Sequence, residues 1–158
     1  MLLSQLLSEE FVAPQVEAED KRGLLEEMCR DLAAKVDGIE CDVLIESLLE
    51  REKLGSTAIG HGVAIPHCKL KGIDRVHVYF ARSLRGIDFQ TLDDEPVHLF
   101  FLIVAPESAV KEHLDVLSAV SRLVRDDSVR ERLMAAADGS EICRIIRDEE
   151  KRIVRRAV

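Results

Sequence analysis

The segment PVHLFFLIVAP, residues 96–106, limits the possible folds more than any other part of the chain. Only His98 interrupts its apolar run, and a proline stands at each end. A half-exposed strand alternates polar and apolar residues, and a surface helix keeps one polar face. A short β-branched and aromatic run with neither pattern reads as a central strand covered on both faces. Such a strand needs partners to pair with and a layer above and below it.

The partners are at hand. VAIP (63–66) and RVHVYFARS (75–83) are short, β-branched or aromatic, and bounded by Gly, Pro or Asp. SLRGIDFQTLDD (83–94) offers a further short edge strand. Helices supply the layers. In EDKRGLLEEMCRDLAAKV, Leu24, Met28 and Leu32 recur every four residues, and Leu25 and Cys29 widen the stripe. CDVLIESLLERE pairs Leu44 with Leu48 and Ile45 with Leu49, and Gly55 follows as a C-cap. After the strands, SAVKEHLDVLSAVSRLV sets Val110, Leu114, Leu117, Val120 and Val124 on one face behind Ser108 as N-cap. Ser128 with Glu131, and Asp138 with Glu141, have capping-box spacing and open two more helices. The order helices, strands, helices predicts one α/β layered domain over residues 1–150, a small mixed sheet with helices packed on both sides. A basic tail, KRIVRRAV, closes the chain at 151–158.

Charge and cysteine usage exclude several functions. The formal net charge of −8 argues against a nucleic-acid binder and against docking on an anionic membrane. No apolar run approaches the ~20 residues of a membrane span, so the protein is not expected to be membrane-embedded. MLLSQLLSEEFV lacks the positive start of a signal peptide. The four cysteines form no C-x-x-C pair, which fits neither a zinc ribbon nor a disulfide framework. A cytoplasmic protein with reduced thiols is expected.

Chemistry concentrates around GHGVAIPHCKL, residues 60–70. Pro66 fixes its own φ and biases Ile65 toward extended backbone, so the chain is held straight up to His67. A histidine past the end of a buried strand lies at the sheet edge, where α/β folds collect ligands. Its ordinary pKa of about 6.5 leaves a ring nitrogen with a free lone pair in much of the population. From spacing alone, a functional and a structural His67 both stand. His113 falls in the first turns of its helix and faces the buried side. It is either a buried histidine satisfied by a carbonyl or a second imidazole near a helix N-terminus, where anions are favoured. Arg51 either complements its helix C-terminus or offers a fork for phosphate oxygens. Ser56 and Thr57 either donate to the same oxygens or close the turn. His77 and His98, inside strands, read as hydrogen-bonded structural residues, and His61 as a loop residue. No phosphate-binding P-loop, dinucleotide fingerprint or H-E-x-x-H metal spacing occurs. A histidine that receives a phosphoryl group from another protein is the coherent reading.

The residues carry a resemblance. REKLGSTAIGHGVAIPHCK (51–69) resembles the signature of the bacterial phosphotransferase-system enzyme IIA domains of the fructose, mannitol and nitrogen-regulatory type (type 2). HLFFLIVAPESAVKEHLDVLSAVSRLV is similar to that family's central strand and the helix bearing its second histidine. The resemblance implies that His67 is the phosphoacceptor and His113 the residue that orients the phosphoryl group. Arg51 and Thr57, with Ser56 beside them, would line the group, and no metal or cofactor takes part. It further implies a phosphoryl donor, HPr or its nitrogen-branch paralogue, and a recipient. The recipient is a IIB-domain cysteine in the sugar branch; in the nitrogen branch, regulatory proteins read the phosphorylation state. The nitrogen-regulatory branch is preferred here, with a stand-alone sugar-specific IIA component as the alternative. Three readings from other classes remain beside it. They are a metal-dependent hydrolase using His61, His67, Cys68 and His113, a thiol enzyme with Cys68 as nucleophile, and a binding module that is never phosphorylated.

Overall fold

A computed structural model describes residues 2–156. In chain order the elements are α1 (Leu3–Leu6), a 3-10 turn (Glu9–Phe11), β1 (Val12–Ala13), α2 (Lys21–Lys35), α3 (Cys41–Lys53), β2 (Ala58–Gly60), β3 (Val63–Ala64) and β4 (His67–Leu70). They continue with β5 (His77–Ile87), β6 (Val97–Pro106), α4 (Val110–Leu123), α5 (Asp127–Ala135) and α6 (Gly139–Arg156).

The apolar run 97–106 is the centre of one six-stranded mixed sheet in the order β1-β5-β6-β3-β2, with β4 also on β6. Alternation sends Leu99, Phe101, Ile103 and Ala105 into a core with α1, α4, α5 and α6. Phe100, Leu102 and Val104 enter a second core with α2 and α3. Phe100 and Phe101 are both fully buried, on opposite faces. Each contributes roughly 1.5–3 kcal/mol over an exposed position. That two-sided burial is why the run shows no polar alternation.

β5 pairs β6 and β2 pairs β3 antiparallel, while β1 joins β5 in parallel and β3 and β4 join β6 in parallel. The segment read as one strand at 63–66 is interrupted. β3 pairs Val63 with Leu99, and β4 pairs His67 with Ile103, so both keep one offset along β6. Pro66 has no N–H for the ladder, yet its carbonyl still accepts from Ile103 N at 2.9 Å. His67 therefore opens a strand rather than following one. No separate edge strand forms from 83–94. β5 runs on to Ile87 through a register shift, with Gly86 at φ +86°. A Cβ at Gly86 would lie 2.8 Å from the His98 ring, so glycine is required there.

Three caps differ from the sequence reading. Ala109, not Ser108, precedes α4 and makes no side-chain cap bond. Asp126, not Ser128, caps α5, its carboxylate accepting from Ser128 N at 2.8 Å. Before α6, Asp138 accepts from Glu141 N at 2.9 Å as expected, but Glu141 accepts from Ala137 N rather than from Asp138. The α4 stripe is also rotated. His113, Val116, Val120 and Leu123 are buried, while Val110 and Leu114 are exposed. The first turns of α4 overhang a cavity instead of the sheet. At the end of the chain α6 continues without a break from Lys151 to Arg156, so the expected tail begins as helix. The rest of that tail, 157–158, lies outside the described residues. Glu150 of α6 ties the two ends together, accepting from Leu3 N and Ser4 N, each at 2.6 Å.

Candidate functional site

His67 is half-buried at the first position of β4. Its Nδ1 lies 2.7 Å from the Ile65 carbonyl oxygen. A carbonyl only accepts, so Nδ1 carries the hydrogen and Nε2 keeps its lone pair. The local chain makes this possible: Pro66 straightens the backbone, and the carbonyl two residues back falls beside the ring.

His113, in the first turns of α4, meets that ring edge-on. The centroids are 5.5 Å apart and the planes at 80°. His113 is only 4% exposed, and neither of its ring nitrogens has a partner among the described residues. Burial pushes its pKa below the usual histidine value, and its neighbours His67 and Lys69 act in the same direction. The second imidazole is therefore neutral near pH 7, with buried nitrogens that nothing among the described residues satisfies. Polar groups buried in this way are costly.

The two rings open into a cavity of about 560 Å³ that Arg51 and Lys69 also line. Arg51 donates from Nη1 to the Gly55 carbonyl at 2.9 Å, which holds the guanidinium at the end of α3. Lys69 sits two residues after His67 on the same strand, so both side chains project from one face. Leu54, Val110, Leu114 and Leu117 border the cavity, with Leu54 85% and Leu114 60% exposed. Two imidazoles, a guanidinium and an ammonium thus converge in an open hollow with an apolar margin. The set suits a dianionic oxyanion group.

Ser56 and Thr57 do not reach the hollow. Ser56 Oγ donates to the Phe89 carbonyl at 2.8 Å and accepts from Ala58 N at 3.2 Å. Thr57 is buried, and its Oγ1 donates to the Glu52 carboxylate at 3.0 Å. Both hydroxyls are engaged at the turn behind Arg51, and neither residue lines the hollow. His98 donates from Nδ1 to the Ser83 carbonyl at 2.9 Å, in line with its structural reading. His61 lies with Gly62 in the two-residue β2–β3 turn at φ +57° and borders a different cavity. His61 is thereby separated from the other three residues of the hydrolase reading, His67, Cys68 and His113, which border the first cavity. Cys68 turns into the α2–α3 core, where burial pushes its thiol up to about 11, a poor nucleophile. Two residues escaped the sequence reading. Lys69 was legible by strand period had 67–70 been read as a strand, whereas Glu52 gave no signal beyond standing next to Arg51.

The fold and the paired histidines define a mixed α/β domain with two imidazoles facing one open cavity. Residues 5–149 match the family described as "Phosphoenolpyruvate-dependent sugar phosphotransferase system, EIIA 2", and the chain belongs to that family. A nitrogen regulatory protein from Bradyrhizobium diazoefficiens is 39% identical over 146 residues, which is 92% of this chain and 95% of that one. The fructose-specific EIIABC component of Bacillus subtilis is 34% identical over 153 residues, covering 96% of this chain but 24% of that longer protein. Among solved structures, the nitrogen regulatory protein IIA-Ntr from Neisseria meningitidis superposes with a TM-score of 0.86 at 33% identity. The match covers 91% of this chain and 98% of that one.

Proposed function

We propose that this chain is a phosphocarrier whose acceptor atom is Nε2 of His67. The observation that carries the reading is the His67 ring itself, with its Nδ1–H on Ile65 O and its free nitrogen in an open cavity beside His113. A histidine of HPr, or of its nitrogen-branch paralogue, presents the phosphoryl group. The donor's P–N bond breaks as the Nε2–P bond forms, and no proton leaves the His67 ring in the step. Retaining Nδ1–H keeps the ring a good leaving group, so the same geometry lets the group be passed on. Phosphoryl transfer through a loose transition state needs in-line placement and charge stabilisation. His113 donates a ring N–H to a phosphoryl oxygen, and Arg51 offers its unused N–H groups to the others. The dianion then favours a proton on His113, raising its pKa in the phosphorylated state.

Residues 1–150 act as one IIA domain in this reading, and its setting is the cytoplasm. No helix among the described residues is long and apolar enough to cross a membrane. The output is regulatory: target proteins distinguish the phosphorylated from the unphosphorylated face. The near end-to-end match to a free-standing nitrogen regulatory protein supports that branch. The match to one quarter of a fructose-specific component supports the second reading, in which the group goes to a IIB cysteine.

Incubation with phosphoenolpyruvate, enzyme I and HPr, followed by intact-protein mass spectrometry, tests the carrier reading. One acid-labile phosphoryl group is expected on the wild type and none on His67→Ala. Phosphorylation of His67→Ala rules out the assignment. Addition of a IIB domain separates the branches, since the sugar-specific protein loses its label to the IIB cysteine.

A further inference from the structure

We infer that Glu52 is a positioning residue that sets the cation of the site against the phosphoacceptor ring. The inference rests on the roles of His67 and Arg51 proposed above. Glu52 sits in the last turn of α3 beside Arg51, with its side chain 5% exposed. Its Oε1 gathers Thr57 N at 3.1 Å, Thr57 Oγ1 at 3.0 Å and Lys21 Nζ at 3.1 Å. Its Oε2 is buried without a partner among the described residues. A carboxylate taken out of water this far is costly to keep, and closing a surface turn does not call for one.

What the carboxylate holds explains its place. The Thr57 carbonyl accepts from Ile65 N at 3.0 Å, and the Ile65 carbonyl accepts from His67 Nδ1 at 2.7 Å. From Glu52 the path crosses two residues, Thr57 and Ile65, and ends on the imidazole. In the other direction, Glu52 clamps the turn at Thr57 while Gly55, two residues earlier, binds the Arg51 guanidinium through its carbonyl. Gly55 N donates back to the Glu52 carbonyl at 3.1 Å. One buried group thus braces both the ring tautomer and the guanidinium. If the turn shifts, Ile65 O leaves Nδ1 and the lone pair is no longer confined to Nε2.

The test is Glu52→Gln in the full chain, read in two ways. Two-dimensional ¹H–¹⁵N spectra of the imidazoles report the His67 tautomer directly. The wild type is expected to hold the proton on Nδ1, and the variant to show a mixture. Phosphoryl uptake from phosphorylated HPr is expected to slow about tenfold, because small misplacements of reacting groups are costly. The loss should fall on kcat rather than on KM, since Glu52 is buried and touches no partner. Thr57→Val removes one donor to the carboxylate without removing a charge. It should move both readouts the same way by less, and it decides the matter if Glu52→Gln does not fold. A folded Glu52→Gln protein that is merely less stable, with the His67 tautomer and transfer rate unchanged, overturns the inference. The tautomer measurement needs no phosphoryl donor, so it decides the role of Glu52 even where the His67→Ala control refutes the carrier reading.

Discussion

The unpartnered imidazole of His113 makes a prediction about stability that runs against its importance. His113→Leu keeps most of the side-chain volume and replaces two buried nitrogens, neither with a partner among the described residues, by carbon. An unsatisfied buried polar group costs about 1–3 kcal/mol. Taking about 1–2 kcal/mol for the pair, since one side faces an open cavity, the variant should be more stable than the wild type. For a chain of this size that is about 2–8 °C in Tm, at about 2–4 °C per kcal/mol. The same variant should take up phosphate more slowly, because the ring that meets the phosphoryl oxygens is gone. Urea denaturation of the unphosphorylated proteins, beside calorimetry, measures the first effect. The gap should also depend on pH. The folded His113 is held below its ordinary value, so the unfolded chain takes up a proton near pH ~6.5 while the folded chain does not. Where the unfolded state binds more protons, stability falls as pH falls. The wild type should therefore lose ground below about pH 6.5 while His113→Leu does not share that loss. His77, displaced in the same direction by burial, is present in both proteins and cancels. A His113→Leu protein less stable than the wild type at pH 7 refutes the reasoning. It would mean that the nitrogens are satisfied in solution and are not held in reserve.

Three further outcomes follow from the geometry. Ser56→Ala should cost about 1 kcal/mol, the net worth of its hydrogen bonds, and leave the rate of phosphoryl uptake unchanged. A drop in rate at constant stability would return Ser56 to the site. His61→Asn should raise Tm without touching transfer, since asparagine accepts positive φ more readily in a two-residue hairpin turn; thermal melts check it. Leu54→Asp with Leu114→Asp should raise KM for phosphorylated HPr several-fold and spare kcat, because both side chains stand exposed at the cavity margin. An unchanged KM would place the docking surface elsewhere.

Much of this was legible in the sequence, for identifiable reasons. The 97–106 strand, α2 and α3 carry long, strong patterns, and the Pro66-His67 pair marks a backbone constraint that needs no tertiary context. β1 and β2 are two and three residues long, too short for any period to register, whereas β3 was legible within VAIP from its composition. β4 was hidden because Pro66 reads as an ending, while the register on β6 carries through it. The α4 stripe was misread for a different reason. Val110 and Leu114 are apolar because they border the cavity, and periodicity cannot separate a core-facing leucine from one that rims a hollow. Ser56 and Thr57 were placed at the site by proximity in sequence. Their hydroxyls turn instead toward Phe89 O and the Glu52 carboxylate, partners that only the folded chain brings near.

The break at Ile65 and Pro66 also governs how this face can be touched. A strand edge that ends in open amides and carbonyls invites another chain to zip onto it. Ile65 leaves neither group open: its N–H goes to Thr57 and its carbonyl to the His67 ring, and α3 packs over the strand that follows. At Ile65, then, a visitor to the proposed phosphoacceptor meets side chains rather than open backbone groups. Contacts of that kind form and dissolve quickly. The break thus leaves the His67 ring in an open cavity while closing the backbone beside it, which suits the proposed carrier that meets a donor and a recipient in turn.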